Sequence, residues 1–292
     1  YYNIIMTTTD KIHQTLRDSA GMRWLVLLLL AFAMFCSYIF MDILSPIKDL
    51  MQSTRGWDST AFGTMQGSET FLNVFVFFLI FAGIILDKMG VRFTAILSGA
   101  VMLVGATINW YAVTDAFQGS GLQTWFTNNL NYIPGFDELG ISPFYRGMPA
   151  SAKFAAIGFM IFGCGVEMAG ITVSRGIVKW FKGREMALAR LGVATCMIFS
   201  PVFAKLGGVI DVSRSVAFGV VLLLIALIMF IVYFFMDKKL DEQTGEAEEK
   251  DDPFKISDLG TILSSGGFWL VALLCVLYYS CLLYTSPSPR DV

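Results

Sequence analysis

The sequence has few of the side chains from which enzymes build catalytic or metal sites. Its only histidine, His13, lies near the amino terminus, and its five cysteines sit in apolar stretches without a CxxC pair. Such an inventory supplies neither a zinc site nor a disulfide framework. No nucleophile clusters with a base, so an enzyme is the least favoured class of protein, and no cofactor or metal is expected.

Charge is scarce as well. Asp, Glu, Lys and Arg make up 15 % of the chain, against about 25 % in an average soluble domain. The net charge of −2 provides no positive field for nucleic acid. The chain also lacks the glycine-rich phosphate loop of an ATP-driven pump. We therefore expect neither nucleic-acid binding nor primary pumping.

Long apolar runs dominate the sequence instead. A helix needs about 20 residues to cross the hydrocarbon core of a bilayer, and seven apolar runs of roughly that length are present. They predict an all-α membrane protein in which six spans form one bundle and a seventh begins a second bundle. The predicted spans are Trp24–Leu44, Ala61–Leu86, Phe93–Val113, Phe154–Ser174, Met186–Leu206, Ser215–Met236 and Phe268–Leu283.

A polar stretch follows the sixth span. It begins at Asp237, reads DKKLDEQTGEAEEKDDPFKISD, and is predicted to be a solvated linker because it cannot bury a core. The end of the chain is polar and proline-rich directly after an apolar run, resembles translated adapter sequence, and suggests a fragment. The predicted map is a cytoplasmic amino terminus (1–23), a six-span bundle (24–236), a charged cytoplasmic linker (237–266), a seventh span (267–283) and an artefactual tail (284–292).

The distribution of basic residues predicts the orientation. With the amino terminus in the cytoplasm, 14 of the 21 Lys and Arg residues fall on the cytoplasmic side. Basic residues in short loops are retained on that side of a membrane. We therefore expect a multi-pass integral membrane protein with a cytoplasmic amino terminus.

The loop between the second and third spans reads GIILDKMGVRF. Its residues Gly83, Asp87, Lys88, Gly90 and Arg92 have the spacing G-x-x-x-D-[RK]-x-G-x-[RK]. Gly83 is expected to let two helices approach closely, and Gly90 to allow a tight turn. Asp87 lies at the carboxyl end of a helix, where the helix dipole opposes its charge. It therefore needs a partner, such as a basic side chain or the amino terminus of another helix.

This spacing resembles the cytoplasmic loop signature of the major facilitator superfamily. The resemblance implies a secondary transporter with twelve spans in two halves, which works by alternating access. It also implies that the five motif residues form a conformational gate, in which Asp87 helps to lock one state of the cycle. The plain alternative is a charged loop that only sets the topology.

Two ionisable residues stand out in the later spans. Glu167 lies deep in the fourth span, eight residues or about 12 Å before Arg175, and is expected to face a polar cavity. Arg190 follows Glu185 by five residues and lies about 7 Å inside the fifth span. A substrate-binding role and a snorkelling arginine at the membrane edge are both open for Arg190.

Polar residues in the earlier spans give further candidates. Tyr38 and Asp42 lie four residues apart on one face of the first span. Asp42 is a proton-binding or substrate-binding candidate, or it marks the end of the helix. Asn73 and Asn109, in the second and third spans, are expected to form interhelical hydrogen bonds.

The fourth and fifth spans carry a closer resemblance. Gly163, Gly165 and Glu167, followed by KWFKGRE from Lys179 and ARLG from Ala189, are similar to the lysosomal dipeptide uniporter branch of the superfamily and its bacterial relatives. The resemblance implies that Glu167 holds the ammonium group of a dipeptide and that Arg190 holds its carboxylate. It also favours the bacterial inner membrane as the location.

These observations predict a facilitative or secondary active transporter of a dipeptide or similar zwitterion. The predicted substrate-binding residues are Glu167, Arg190, Tyr38 and Asp42, and the expected partners are the small-molecule substrate and the lipid bilayer. One alternative is a proton-coupled symporter of organic anions, in which Arg190 binds the anion and Glu167 or Asp42 titrates. The other is a non-transporting, half-length accessory membrane protein.

Overall fold

The computed structural model describes residue 16 and residues 19–181, 199–244, 260 and 262–285. The chain divides into two compact units, Tyr1–Lys250 and Asp251–Val292. The described residues form α-helices and short 3-10 turns, and no strand occurs among them. The helices whose first and last residues both lie in the described part of the first unit are α1 (Ala20–Asp42), α2 (Lys48–Arg55), α3 (Ser59–Gly67), α4 (Phe71–Phe75), α5 (Phe78–Val113), α6 (Gly121–Asn128), α7 (Ala150–Phe181) and α8 (Ser213–Thr244). The described part of the second unit contains α9 (Gly266–Thr285).

Four segments of the described residues are long and apolar enough to cross a membrane. They are Ala20–Arg55, Phe78–Val113, Ala150–Trp180 and Ser213–Thr244. The predicted all-α membrane class is therefore confirmed, whereas the count of seven spans stays a prediction. Of the predicted fifth span, residues 186–198 lie outside the described part, and residues 199–204 are helical.

α8 has one buried side and one exposed apolar side, as expected of a helix in a membrane bundle. One side, which includes Gly219, Leu223 and Phe230, is buried, and it packs against α1 and α5. The other side exposes large apolar side chains at intervals of three or four residues. A stripe of this kind is unfavourable in water and suited to lipid. Its members are Val221, Leu224, Ile228, Val232 and Phe235.

The second predicted span is interrupted, so the prediction of one continuous helix from Ala61 to Leu86 is wrong. The span is divided into α3, a 3-10 turn (Ser68–Thr70), α4 and the first part of α5. Hydroxyl groups that bond to the backbone accompany the first break, and Phe77, with φ 55°, marks the second. The Oγ of Ser68 donates to Met65 O at 2.6 Å, and the Oγ1 of Thr70 donates to Gly67 O at 3.2 Å. Such bonds compete with the regular bonds of a helix.

α5 contains two helices that meet at Gly90. This residue has φ 80° and ψ 167°, a conformation that glycine adopts far more readily than other residues. The chain turns there, between the end of the second predicted span and the start of the third. Gly90 therefore serves as the turn residue that the motif predicts.

The packing of α7 fixes the position of Glu167. A Cβ atom at Gly105 of α5 would lie 2.4 Å from Phe162 N, and one at Gly158 would lie 2.7 Å from Gly105 O. The backbones of α5 and α7 are therefore in direct contact, as glycine pairs allow in membrane bundles. On the side of α1, the rings of Phe40 and Phe162 have centroids 4.8 Å apart. α7 is thus held between two other helices.

The predicted linker begins later than expected, because α8 continues to Thr244. Asp237 is fully buried, so the prediction that it starts a solvated linker is wrong. Its charge is compensated by Lys179, whose Nζ lies 2.8 Å from Asp237 Oδ2. In the second unit, α9 covers the predicted seventh span. Residues 245–259 of the predicted linker and 286–292 of the predicted tail lie outside the described part.

Candidate substrate cavity and ion-pair gate

An open cavity of about 470 Å³ is bordered by α1, α5 and α7. Met34 and Tyr38 come from α1, and Leu79 comes from the first part of α5. The rest of the wall is one side of α7, and the whole lining is mostly apolar. Binding sites for small molecules combine an apolar wall with a few polar groups in this way. The α7 residues are Glu167, Gly170, Ile171, Ser174, Arg175 and Val178.

Glu167 reaches the cavity because small residues surround it on α7. A Cβ atom at Gly165 would lie 2.7 Å from Met102 N, so this glycine allows close contact with α5. Gly170 has no neighbouring atom within 4 Å of its Cβ position, which leaves open space beside the carboxylate. Glu167 is consequently half-buried on the cavity wall. Glu167 therefore faces a cavity, but the lining is mostly apolar, so the expectation of a polar cavity is wrong.

The structure brings together two of the four predicted substrate-binding residues. Tyr38 and Glu167 line the same cavity. Asp42 does not line it; this half-buried residue ends α1, one turn beyond Tyr38. Arg190 lies outside the described residues, and its role stays a prediction.

Arg175 is a cavity residue that the sequence analysis did not assign to the substrate site. It lines the same cavity as Glu167, and its Nη2 lies 2.9 Å from Asp87 Oδ1. The cavity wall therefore carries one acid and one base, separated by about 12 Å of helix. The spacing of eight residues could have revealed this pairing, because it keeps both residues on one side of α7.

The ion pair with Arg175 gives Asp87 the basic partner that its position at a helix end requires. This pair joins the turn at Gly90 to the helix that carries Glu167. Lys88 is exposed. The close helix approach expected at Gly83 is absent among the described residues, because no atom lies within 4 Å of its Cβ position.

Arg92, the last motif residue, belongs to a second group of charges. Its Nη1 lies 3.2 Å from Asp241 Oδ2 and its Nε lies 3.9 Å from Asp237 Oδ2. Lys179 approaches the same two carboxylates at 2.9 and 2.8 Å, and Trp180 Nε1 donates to Asp237 Oδ1 at 3.0 Å. Two acids on α8 therefore bind one base from α5 and one from α7. The network ties three helices together at the end of the bundle that carries the Gly90 turn.

Glu69 is the ionisable residue that the sequence analysis missed. It lies in the 3-10 turn of the second span and is only 8 % exposed. The signal was present, because an acidic residue inside an apolar run is itself a functional candidate. Of the two asparagines, Asn109 donates across helices to Ala155 O at 3.4 Å, as predicted. Asn73 instead bonds within its own segment, to Glu69 O at 3.5 Å, so its predicted interhelical bond is wrong.

Comparisons with known proteins agree on one family. The family model described as Major Facilitator Superfamily matches residues 30–289. The lysosomal dipeptide transporter of Danio rerio is 23 % identical over 276 residues, which cover 88 % of this chain and 51 % of the relative. The human lysosomal dipeptide transporter is 22 % identical over 274 residues, with 88 % and 51 % covered. The chain thus spans about half the length of these curated relatives, and no solved structure matches it.

Proposed function

Since the chain belongs to the major facilitator superfamily, we propose that it binds and carries a small organic zwitterion of the dipeptide class across the membrane. The observation that carries this proposal is the cavity in which Glu167, Tyr38 and Arg175 meet. The names of the relatives support the dipeptide class, at 22 to 23 % identity. Transport by alternating access is the mode that the family implies.

The charges of the cavity suit a zwitterion. A carboxylate such as Glu167 binds an ammonium group through charge-assisted hydrogen bonds. A guanidinium group binds the carboxylate at the other end with two parallel bonds. Burying either end of the substrate without a partner would be strongly unfavourable. In this proposal Arg190 supplies the guanidinium, on the strength of the resemblance, and Arg175 is the base that lines the described cavity.

Arg175 connects the cavity to the proposed gate. Its guanidinium is bound to Asp87 while its side chain lines the cavity. A substrate carboxylate that reaches this wall competes with Asp87 for the same guanidinium. Binding would then weaken the link between α7 and the Gly90 turn, and this link is one of those that must break if the bundle opens at the Gly90 end. The motif residues Gly83, Asp87, Lys88, Gly90 and Arg92 act as the gate in this proposal.

The orientation and the location belong to the same proposal. The excess of basic residues at the Gly90 end supports a cytoplasmic amino terminus. The resemblance to bacterial members supports the bacterial inner membrane. A cysteine-accessibility experiment with a membrane-impermeant reagent tests the orientation. A cysteine placed at exposed Lys88 is expected to react only after the membrane is opened.

Uptake of a labelled dipeptide by liposomes that contain the full-length protein tests the function. Glu167→Gln and Arg190→Ala are each expected to reduce uptake at least about ten-fold, since each removes one charge-assisted contact. Glu242→Gln is the matched control, because the side chain of Glu242 is 64 % exposed on α8. An N-acetylated dipeptide, which has no ammonium group, is expected to compete poorly.

Three results would overturn the dipeptide assignment. Undiminished uptake in both Glu167→Gln and Arg190→Ala would show that neither group binds the substrate. Competition by organic monoanions but not by dipeptides, with uptake that collapses under a protonophore, would favour the anion symporter. Absence of any uptake by the folded full-length protein would favour an accessory protein.

A further inference from the structure

A second cavity, of about 300 Å³, lies where α7 begins, at the end of the bundle opposite the Gly90 turn. The end of α2, the helix α6 with its flanking loops, and the start of α7 form its wall. Polar groups and two bases line this α6 cavity, and no acidic side chain is among its described lining residues. The lining includes Arg55, Gln123, Thr127, Ala150, Ser151 and Lys153.

Lys153 brings a buried positive charge to the α6 cavity. Its side chain is on the wall, yet the residue is only 1 % exposed. Its Nζ donates to Phe126 O at 3.0 Å, Asn129 O at 3.1 Å and Asn131 Oδ1 at 2.6 Å. All three acceptors are neutral, and Lys153 forms no ion pair within the described part of the chain. A buried charge without a counter-charge is unfavourable, so this cavity favours an anion.

Arg55 supplies donors that the protein does not use. Its side chain is 10 % exposed, with Nε donating to Val113 O at 2.9 Å and Nη2 to Asp115 Oδ1 at 2.7 Å. Its Nη1 has no partner among the residues that the structure describes. The side chain of Asp115 is 89 % exposed, so water screens its attraction for the guanidinium. The two hydrogens on Arg55 Nη1 are therefore available to a ligand.

The start of α7 adds further donors on another wall. Ser151 is 4 % exposed, and its Oγ accepts from Trp57 Nε1 at 2.8 Å. A hydroxyl group that accepts can still donate its own proton, and the described residues provide no acceptor for it. The first helical bond of α7 runs from Lys153 N to Pro149 O at 3.0 Å. The N–H groups of Ala150 and Ser151 therefore have no acceptor within the helix, which favours a bound anion.

We propose that the α6 cavity binds a phosphate group. The guanidinium of Arg55 approaches from α2, and the hydroxyl and backbone donors approach from α7. The Lys153 charge lies behind them. A phosphate has several acceptor oxygens, so it can accept from both walls at once. Guanidinium groups pair with phosphate through charge-assisted hydrogen bonds.

The helix α6 indicates the source of the phosphate. Gln123 and Thr127 on one side of it line the cavity. Leu122 and Trp125 on another side are 43 % and 50 % exposed, as is typical of a helix at the boundary between membrane and water. A phospholipid at that boundary brings its phosphate to the same depth. The headgroup of an anionic phospholipid is therefore the favoured source, and free phosphate is the other.

Thermal unfolding of the full-length protein in a non-ionic detergent tests the proposal with two pairs of probes. Dioleoylphosphatidylglycerol is compared with dioleoylglycerol, which has the same chains and no phosphate. Sodium phosphate is compared with sodium chloride at equal ionic strength. At ten times its dissociation constant, a ligand of the cavity is expected to raise the melting temperature by about 3–6 °C. Dioleoylglycerol and chloride are expected to leave it unchanged.

Three variants locate the effect. Arg55→Gln removes the guanidinium and is expected to weaken binding at least about ten-fold. Thr127→Glu places a carboxylate at an exposed position on the cavity wall and is expected to abolish the shift by repulsion. Thr124→Glu is the matched control, because it adds the same charge at an exposed position of α6 outside the cavity lining. It is expected to keep the wild-type shift.

The outcomes also distinguish the two sources. A shift with phosphatidylglycerol alone assigns the cavity to a lipid headgroup, and a shift with sodium phosphate alone assigns it to free phosphate. No shift with either probe in the wild type overturns the proposal, as do equal shifts in Thr127→Glu and Thr124→Glu. If Arg55→Gln does not fold, the two threonine variants decide the question. The measurement reads binding alone, so its result is independent of dipeptide transport.

Discussion

The contact between Gly163 and Glu69 makes a quantitative prediction for Gly163→Ala. The new methyl group would lie 2.2 Å from Glu69 O, whereas carbon and oxygen atoms in ordinary contact are about 3.4 Å apart. The second span and α7 must therefore separate by about 1 Å. Overpacking of this kind typically destabilises a protein by about 1–3 kcal/mol.

Gly170→Ala is the matched control for this effect. Gly170 lies on the same helix and has no atom within 4 Å of its Cβ position. Both substitutions gain the same helix propensity, up to about 1 kcal/mol. The difference between the two variants therefore isolates the packing contribution, and we expect Gly163→Ala to be less stable than Gly170→Ala by about 1–3 kcal/mol.

Thermal unfolding of the full-length protein in detergent measures this difference. Each kcal/mol corresponds to roughly 2–4 °C in the melting temperature, so a gap of several degrees is expected. Equal melting temperatures for the two variants would refute the close approach of Glu69 to α7.

Further predictions concern the two ion-pair groups at the Gly90 end. Asp237→Asn is expected to lower the free energy of unfolding by about 3–5 kcal/mol, because it removes a buried partner of two bases; chemical unfolding measures the loss, and Glu242→Gln should change stability by less than about 0.5 kcal/mol. Asp87→Arg and Arg175→Asp are each expected to impair dipeptide exchange, whereas the double variant restores the ion pair and recovers part of it, since the cavity wall still lacks the Arg175 guanidinium. A double variant as impaired as the worse single variant would contradict the gate.

The sequence predicts the helices better than it predicts the contacts that polar residues make. The helical class follows from long apolar runs, and the turn at Gly90 follows from the spacing of the motif. Run length does not predict the breaks in the second span, because it ignores local backbone geometry such as the 3-10 turn Ser68–Thr70 and the positive φ of Phe77. An apolar run of the right length therefore establishes the presence of a span but not its continuity.

The sequence also predicts some of the charged residues and not others. An acidic residue inside an apolar run is a functional candidate, and this rule predicts Glu167. The same rule applies to Glu69, which the sequence analysis did not include. Asp237 was assigned to a solvated linker because its sequence neighbours are polar. Its burial depends on Lys179 and Trp180, which lie 58 and 57 residues away in the chain. Only the folded structure, in which side chains at the end of α7 reach α8, reveals such partners.

The most direct test of the central claim measures whether Glu167 recognises the ammonium group of a dipeptide. Calorimetry would compare the affinities of alanyl-alanine and its N-acetyl derivative for the full-length wild type and for Glu167→Gln. The wild type is expected to prefer the free ammonium form by about ten-fold or more, as one hydrogen-bonded charge contributes roughly 1.5–3 kcal/mol, and Glu167→Gln is expected to lose this preference. An equal preference in both proteins would contradict the assignment of Glu167 as the ammonium-binding residue.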